Sequence, residues 1–299
     1  MAMMHHGHSR NLLVHSAVLI AALVFLSCAV REVPPPPKPA RVAIVLGAGA
    51  AKGFAHIGVL KILETNHVPI HMIVGTSAGS FVGSLYAYGF NAFQLQEISF
   101  RLEKTDVIDL TVPDNGFVKG EKLAAYINST LQNTLLEKLR IPFYAVATDL
   151  QSGEEIAFAR GDTGTAVRAS CSIPGVFNPV RIGERFYVDG GIVSPVAVDR
   201  ARKMGADVVI AVDISSNIEN APPAGTVDTI IQAVTVMYAR MSQNQLARAD
   251  FVIKPRVGYI GSTDFTKRHE AVLEGEKAAL EALPGIRTAL DRLRQEGRL

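Results

Sequence analysis

Residues 41–46, Arg-Val-Ala-Ile-Val-Leu, are a short apolar, β-branched run that stops at the glycine-containing stretch 47–53. That is the pattern of a buried strand entering a turn. Over 54–66 the apolar positions fall at helical spacing, with Ile57, Leu60 and Leu63 on one side, and 71–74 supply a second strand. The same reading predicts strands over 143–148, 155–159, 185–188, 207–212 and 251–253. It predicts helices over 80–88, 120–131, 163–170, 196–204, 227–246 and 266–283. Strands interleaved with helices imply an α/β fold with a mainly parallel central sheet covered on both faces. The helix over 227–246 carries Val234, Met237 and Met241 near one face and is expected to pack on that sheet.

The pattern ahead of residue 41 is different. Residues 1–10 are polar and end in Arg10, and an apolar run follows over 17–26. These read as the n-region and h-region of an export signal over 1–29, with an uncleaved anchor over 12–30 as the alternative. Phe25-Leu-Ser-Cys28 resembles a bacterial lipobox, in which the cysteine is acylated after cleavage before Cys28. Ser27-Cys-Ala29 also fits an ordinary signal cleavage site. The lipobox is preferred because a cysteine at that place has few other uses, and it implies a lipoprotein anchored in a bacterial cell envelope. An ordinary signal would instead leave a soluble periplasmic or secreted protein. His5, His6 and His8 belong to the polar leader rather than to a metal site. Pro34 to Pro37, with Pro39, make 30–40 a stiff extended tether, leaving one domain over 41–299.

A chain of 299 residues, 48% of them hydrophobic, is ample for one α/β domain and short for two. Arg10, Arg31 and Lys38 against Glu32 lie before residue 41, so the remainder carries equal numbers of basic and acidic residues. A neutral domain without a basic run lacks an electrostatic footprint for nucleic acid, and any membrane contact should be apolar. Cys28 and Cys171 stand in contexts too different for a structural disulfide, and Cys171 reads as a small buried filler. No CxxC or metal-ligand spacing calls for a metal or cofactor.

Gly75-Thr-Ser-Ala-Gly79 matches GxSxG between a strand and an apolar helix, as a nucleophile elbow requires. The plainer alternative is a tight turn with a capping serine. Gly47-Ala-Gly-Ala-Ala-Lys-Gly53 offers backbone amides with little bulk, suited to hold a developing oxyanion. A dinucleotide loop is disfavoured because the third glycine of GxGxxG is missing and the next strand ends in Gly75 rather than an acid. Asp189 stands where an apolar strand stops at Gly190 and Gly191, a place for a catalytic base or a simple turn former.

With these blocks in place, the sequence resembles the bacterial branch of the patatin-like phospholipases from about Arg41 to Val212. The resemblance rests on six ordered segments: the glycine loop continuing as Gly53-Phe-Ala-His-Ile-Gly-Val-Leu60, the serine elbow, Ala147-Thr-Asp-Leu150, Ala169-Ser-Cys-Ser-Ile-Pro-Gly-Val-Phe177, Asp189-Gly-Gly191 and Gly205-Ala-Asp-Val-Val-Ile210. It implies a three-layer α/β/α fold and hydrolysis of fatty-acyl esters of lipids without a metal or cofactor. It further implies Ser77 as nucleophile, Asp189 as base and the amides of Gly49 and Ala50 as the oxyanion hole. The family's loop carries three successive glycines where this chain has Ala48, Gly49 and Ala50, so a catalytically weak lipid-binding scaffold is the rival reading. Ala51 completes the loop, and Lys52 takes the family's basic position, with a solvated loop lysine as the alternative.

The implied chemistry is a two-step acyl transfer. An aspartate near its ordinary pKa is a weak base at neutral pH, so such a dyad needs close contact and a dry pocket more than a shifted charge state. Ser77, Asp189 and His269 also stand in the chain order of an α/β-hydrolase triad. His269, however, lies in the charged stretch Lys267-Arg-His-Glu270, where a solvated helical histidine is expected.

Overall fold

The computed structural model describes residues 15–16, 36–112, 115–215 and 225–299. Met1–Lys38 and Pro39–Leu299 are separate units, and apart from residues 15–16 the leader, with Cys28, lies outside the described residues. No helix among the described residues is long and apolar enough to cross a membrane.

The second unit is built on one sheet. Its strands are β1 (Val42–Leu46), β2 (Met72–Thr76), β3 (Phe143–Asp149), β4 (Glu155–Phe158), β5 (Val180–Ile182), β6 (Arg185–Asp189), β7 (Val208–Val212) and β8 (Phe251–Ile253). They run in the order β5-β6-β3-β2-β1-β7-β8, with β4 also on β3. The pairs among β3, β2, β1, β7 and β8 are parallel, whereas β4 and β6 meet β3 antiparallel. β1 lies at the centre and every residue in it is wholly buried, which explains its unbroken apolar run.

Nine helices are described: α1 (Phe54–Thr65), α2 (Ala78–Tyr88), α3 (Ala92–Arg101), α4 (Lys104–Val107), α5 (Glu121–Thr130), α6 (Thr163–Cys171), α7 (Val198–Lys203), α8 (Thr226–Leu246) and α9 (Arg268–Gln295). Side chains alternate along the strands and so serve two cores. Val42, Ile44, Leu46, Ile73 and Ile210 join Leu60 of α1, Val82 of α2 and Ile286 of α9. Ala43, Val45, Val74 and Val209 join Val198 and Ala201 of α7 and Leu246 of α8 on the opposite face. The result is the expected three-layer arrangement.

Four elements differ from the sequence expectation, one of them the four-residue α4, too short for a periodic signal. α3 was not anticipated, although Asn91 and Gln94 form a capping box in which each side chain accepts the other's amide at 2.9 Å. β5 is only three residues long, too short for a periodic signal. α9 runs through Pro284 to Gln295 instead of stopping at 283. Pro284 is exposed, while Leu283, Ile286, Leu290 and Leu293 bury a continuous apolar stripe. Burying each such side chain contributes about 1.5–3 kcal/mol, enough together to outweigh a helical proline's penalty of about 3 kcal/mol.

α1 and α9 cross with almost no separation at two glycines. A Cβ on Gly58 would collide with the Val272 carbonyl, and one on Gly275 with the Ala55 carbonyl. Lys61 and Glu276 close the same interface with an ion pair at 2.7 Å. Glycine to alanine should therefore act with opposite signs within one helix. Gly275→Ala is expected to destabilise the domain by about 1–3 kcal/mol through overpacking. Gly285→Ala, whose Cβ would meet only Phe251 at 3.4 Å, should stabilise it by up to about 1 kcal/mol. Urea unfolding of the two variants measures both changes.

Candidate active site

The edge of β3 brings the candidate residues together. β2 pairs with β3 as far as Thr76↔Val146, and β6 pairs with it from Ala147↔Asp189 to Asp149↔Tyr187. β4 covers Ala145 to Thr148 and so overlaps both registers. Since β4 occupies one edge of β3, β2 and β6 must share the other, one beyond the end of the other. They run in opposite directions, so their C-terminal ends meet. Ser77 follows the last residue of β2, and Asp189 is the last residue of β6.

Ser77 adopts φ 54° and ψ −122°, a conformation that L-residues rarely hold. It stands alone between Thr76 of β2 and Ala78 of α2, a tighter strand-to-helix turn than the sequence spacing suggested. The chain passes because Gly75 and Gly79 lie where a Cβ would strike Ser80 and the Leu46 carbonyl respectively. The Ser77 carbonyl accepts bonds from the Ser80 and Phe81 amides and the Ser80 hydroxyl. Its own amide donates to Ser170 Oγ at 2.9 Å, and that hydroxyl donates to the Val146 carbonyl at 2.6 Å. Ser170 of α6 thus bridges the gap between the two strand ends.

Asp189 is wholly buried. Its Oδ1 accepts the Gly191 amide at 2.7 Å, its amide donates to the Ser172 carbonyl, and its carbonyl accepts from Thr148 Oγ1 at 3.0 Å. Gly190 and Gly191 form a short 3-10 turn behind it. Burial raises the carboxyl pKa to about 6, against the opposing pull of the Ser77 hydroxyl, the Gly191 amide and the Tyr238 hydroxyl. At neutral pH the carboxyl is still mostly ionised, but it is a stronger base than an ordinary aspartate. The neighbouring Cys171 thiol is buried and free, and burial together with the Asp189 charge keeps it protonated.

The loop 47–53 leaves β1 and packs onto the elbow. Gly53 lies so close to α2 that a Cβ there would meet that of Ala78 at 2.6 Å. The amides of Gly47, Ala48, Ala51 and Lys52 are taken by Val212, Pro195, Ser262 and Gly49 carbonyls. The amides of Gly49 and Ala50 donate to no protein acceptor among the described residues. Ala50 sits at φ 49°, the left-handed region that the family's glycine would adopt without strain. Lys52 is 1% exposed, so the solvated-lysine alternative is overturned: the turn at 50–53 folds its stem into the protein. His56 of α1, also wholly buried, holds the loop through Nε2 and the Gly47 carbonyl at 2.8 Å. Burial lowers its pKa to about 4, so the ring is neutral and donates that bond.

Ser77 opens onto an apolar cavity of about 360 Å³. Its lining includes the α2 face carrying Ala78, Phe81, Val82 and Leu85, together with Leu95 and Ile98 of α3. A far smaller space of about 20 Å³ touches Ser77 together with Gly49, Ala50, Lys52 and Tyr238. Tyr238 is 3% exposed and comes from α8, whose inward face is Val234, Tyr238, Ser242 and Leu246. Met237, expected on the inward stripe, points outward and is 49% exposed. His269 is exposed on α9 and lies against Phe100 in a tilted ring contact, 3.9 Å between ring centroids. Among the described residues, no histidine hydrogen-bonds Ser77 or Asp189, and no group of three or more His, Cys, Asp or Glu side chains converges as metal ligands would. Sequence reasoning brought together Ser77, Asp189 and the loop but missed Ser170, Tyr238 and His56. His56 and Ser170 fall inside conspicuous motif blocks, whereas Tyr238 carries no local signal.

The family model for patatin-like phospholipases matches residues 44–202. The chain is 34% identical over 183 residues to an uncharacterized NTE family protein of Mycobacterium tuberculosis, covering 59% of this chain and 50% of that protein. It is 35% identical over 186 residues to the human patatin-like phospholipase domain-containing protein 6, covering 60% and 14%. It is 30% identical over 291 residues to lysophospholipase NTE1 of Coccidioides immitis, covering 86% and 18%. The alignments thus take in half or less of each of these relatives' own length. VipD from Legionella pneumophila shares the fold at a TM-score of 0.57 and 14% identity, over 83% of this chain and 67% of that one. Because the family's model covers more than half of these residues, from β1 through the elbow and Asp189 to α7, the chain belongs to the patatin-like phospholipase family.

Proposed function

We propose that this chain is a serine hydrolase that cleaves fatty-acyl esters of lipids through a Ser77–Asp189 dyad. The observation carrying this reading is a strained serine that meets a wholly buried carboxylate at the wall of an apolar cavity. As Ser77 Oγ attacks the ester carbonyl, its proton passes to the Asp189 carboxylate. The carbonyl oxygen becomes an oxyanion within reach of the unpaired Gly49 and Ala50 amides. Collapse breaks the ester C–O bond, and the proton returns from Asp189 to the leaving alcohol. Water then repeats the sequence on the acyl-enzyme and frees the fatty acid. A carboxyl raised toward neutrality by burial is a better base than an exposed aspartate, and it needs no histidine relay.

The cavity wall favours an alkyl chain. Leu85 lies eight residues along α2 from Ser77, or about 12 Å at the helical rise, so a long acyl tail can follow that face. An ester of phospholipid or lysophospholipid type fits such a site. Its entrance lies near Leu110, which lines the cavity yet is 79% exposed, and the neighbouring Val112 is 86% exposed. These residues support apolar contact with a lipid surface, in keeping with a domain of no net charge. Cys28 would add a lipid anchor in a bacterial envelope, and mass spectrometry of the mature N-terminus tests it.

Ser77→Ala and Asp189→Asn should each abolish hydrolysis of a short-chain acyl ester, while His269→Ala should retain it. The double variant should be scarcely worse than either single one, since the two residues act as a unit. Comparable loss in a folded His269→Ala protein would instead point to a triad. For the wild type, kcat/KM should fall as pH drops through about 6, where Asp189 gains a proton.

Ala50→Gly should stabilise the protein by about 0.5–1 kcal/mol by relieving the left-handed alanine, with turnover kept or raised. Thermal melting and steady-state assays read the two effects, and a large loss of turnover would remove Ala50 from the oxyanion site. Val112→Trp would give the chain its only tryptophan. Its emission should shift to the blue on adding phosphatidylcholine vesicles, whereas a tryptophan replacing Leu280 on α9 should not respond. An unshifted Val112→Trp spectrum would remove this surface from the membrane contact.

A further inference from the structure

Two buried polar atoms near Ser77 lack a hydrogen bond of normal geometry among the described residues: Asp189 Oδ2 and Tyr238 Oη. Oδ1 of the same carboxylate is already held by the Gly191 amide. The phenol end of Tyr238 is seated directly on that turn, because a Cβ at Gly191 would meet Tyr238 Cζ and both Cε atoms. An unpartnered hydroxyl is therefore pressed against the segment that carries an unpartnered carboxylate oxygen. Leaving either atom unsatisfied in a buried site would cost about 1–3 kcal/mol, so the pair has a strong incentive to meet.

We propose that Tyr238 is a positioning residue for Asp189, donating its hydroxyl proton to the carboxylate and holding the free oxygen toward Ser77. The inference rests on the dyad proposed above and adds a third member from an element far away in sequence. Burial and the Asp189 charge both raise the phenol pKa well above its ordinary value, so the hydroxyl stays protonated and can only donate to the anion. Donation favours the charged carboxylate, counteracting the desolvation that raises its pKa. The other groups facing the carboxylate are the Ser77 hydroxyl, the Gly191 amide and the Cys171 thiol, which burial keeps neutral. Tyr238 thus tunes the pH at which Asp189 becomes a base. Tyr238 also touches the small space shared by Ser77, Gly49 and Ala50, which places it beside the same serine.

The test is Tyr238→Phe, which keeps the ring on Gly191 and removes only the oxygen. Without that donor the protonated carboxyl is favoured, so the acid limb of kcat/KM for a short-chain ester should move upward by about one pH unit. That shift predicts a loss of about tenfold below the limb and a smaller loss on the alkaline plateau. Thermal melting checks that the variant is folded. A folded Tyr238→Phe protein whose limb coincides with the wild type would overturn the inference, even if its overall rate fell. Should Ser77→Ala or Asp189→Asn remain active, the dyad itself fails, a result separate from an unmoved limb in an enzyme whose dyad holds.

Discussion

The site depends on β2 and β6 ending face to face along one edge of β3. Parallel strands alone would send every C-terminal end the same way, with adjacent loops fanning out side by side. Here the overhang of β3 beyond β2 is filled by a strand running back toward it, so two loops converge within one continuous ladder. The serine and the aspartate are placed by backbone pairing rather than by flexible connections. The interruption of that ladder is closed by Ser170, whose hydroxyl takes the Ser77 amide and satisfies the Val146 carbonyl. A change in either strand register would separate the pair by one residue or turn one of them to the opposite face.

The same geometry forces a carboxyl out of water. Folding raises the pKa of Asp189 from 3.8 to about 6, so the folded chain binds its proton more tightly than the unfolded one. Stability from this group is therefore full below pH 3.8 and declines as pH rises toward 6, by about 3 kcal/mol in all. The protein is less stable at neutral pH than a neutral isostere at that position would make it. What that strain supplies is a base of useful strength beside the proposed nucleophile, in surroundings dry enough to strengthen every local hydrogen bond.

Close packing holds the loop against this pair. Gly53 touches Ala78, Gly79 lies under the end of β1, and neutral His56 ties the Gly47 carbonyl to α1. α9 in turn presses on α1 through glycines on both helices, so the most C-terminal helix supports the loop from behind. Gly49 and Ala50, whose amides have no protein partner among the described residues, line the small space beside Ser77, which leaves both donors available there. Ala50 reaches the required backbone conformation despite its methyl group, so the departure from three glycines does not remove that donor.

Local chemistry was legible in the sequence. The alternation of strands and helices, the GxSxG turn, the glycine loop and Asp189 before two glycines all follow from short-range rules of backbone shape and apolar spacing. The family resemblance carried on those blocks is likewise a property of contiguous residues. What tertiary structure alone decided depends on partners distant along the chain. The antiparallel course of β6, the burial of Lys52 and the continuation of α9 past Pro284 each follow from contacts that no local window contains. Tyr238 lies 49 residues beyond Asp189 and reads in sequence as one more core position on an amphipathic helix. Its hydroxyl acquires meaning only where α8 rests on Gly191, and the pKa of Asp189 moves only because folding removes its water, a three-dimensional quantity with no one-dimensional trace.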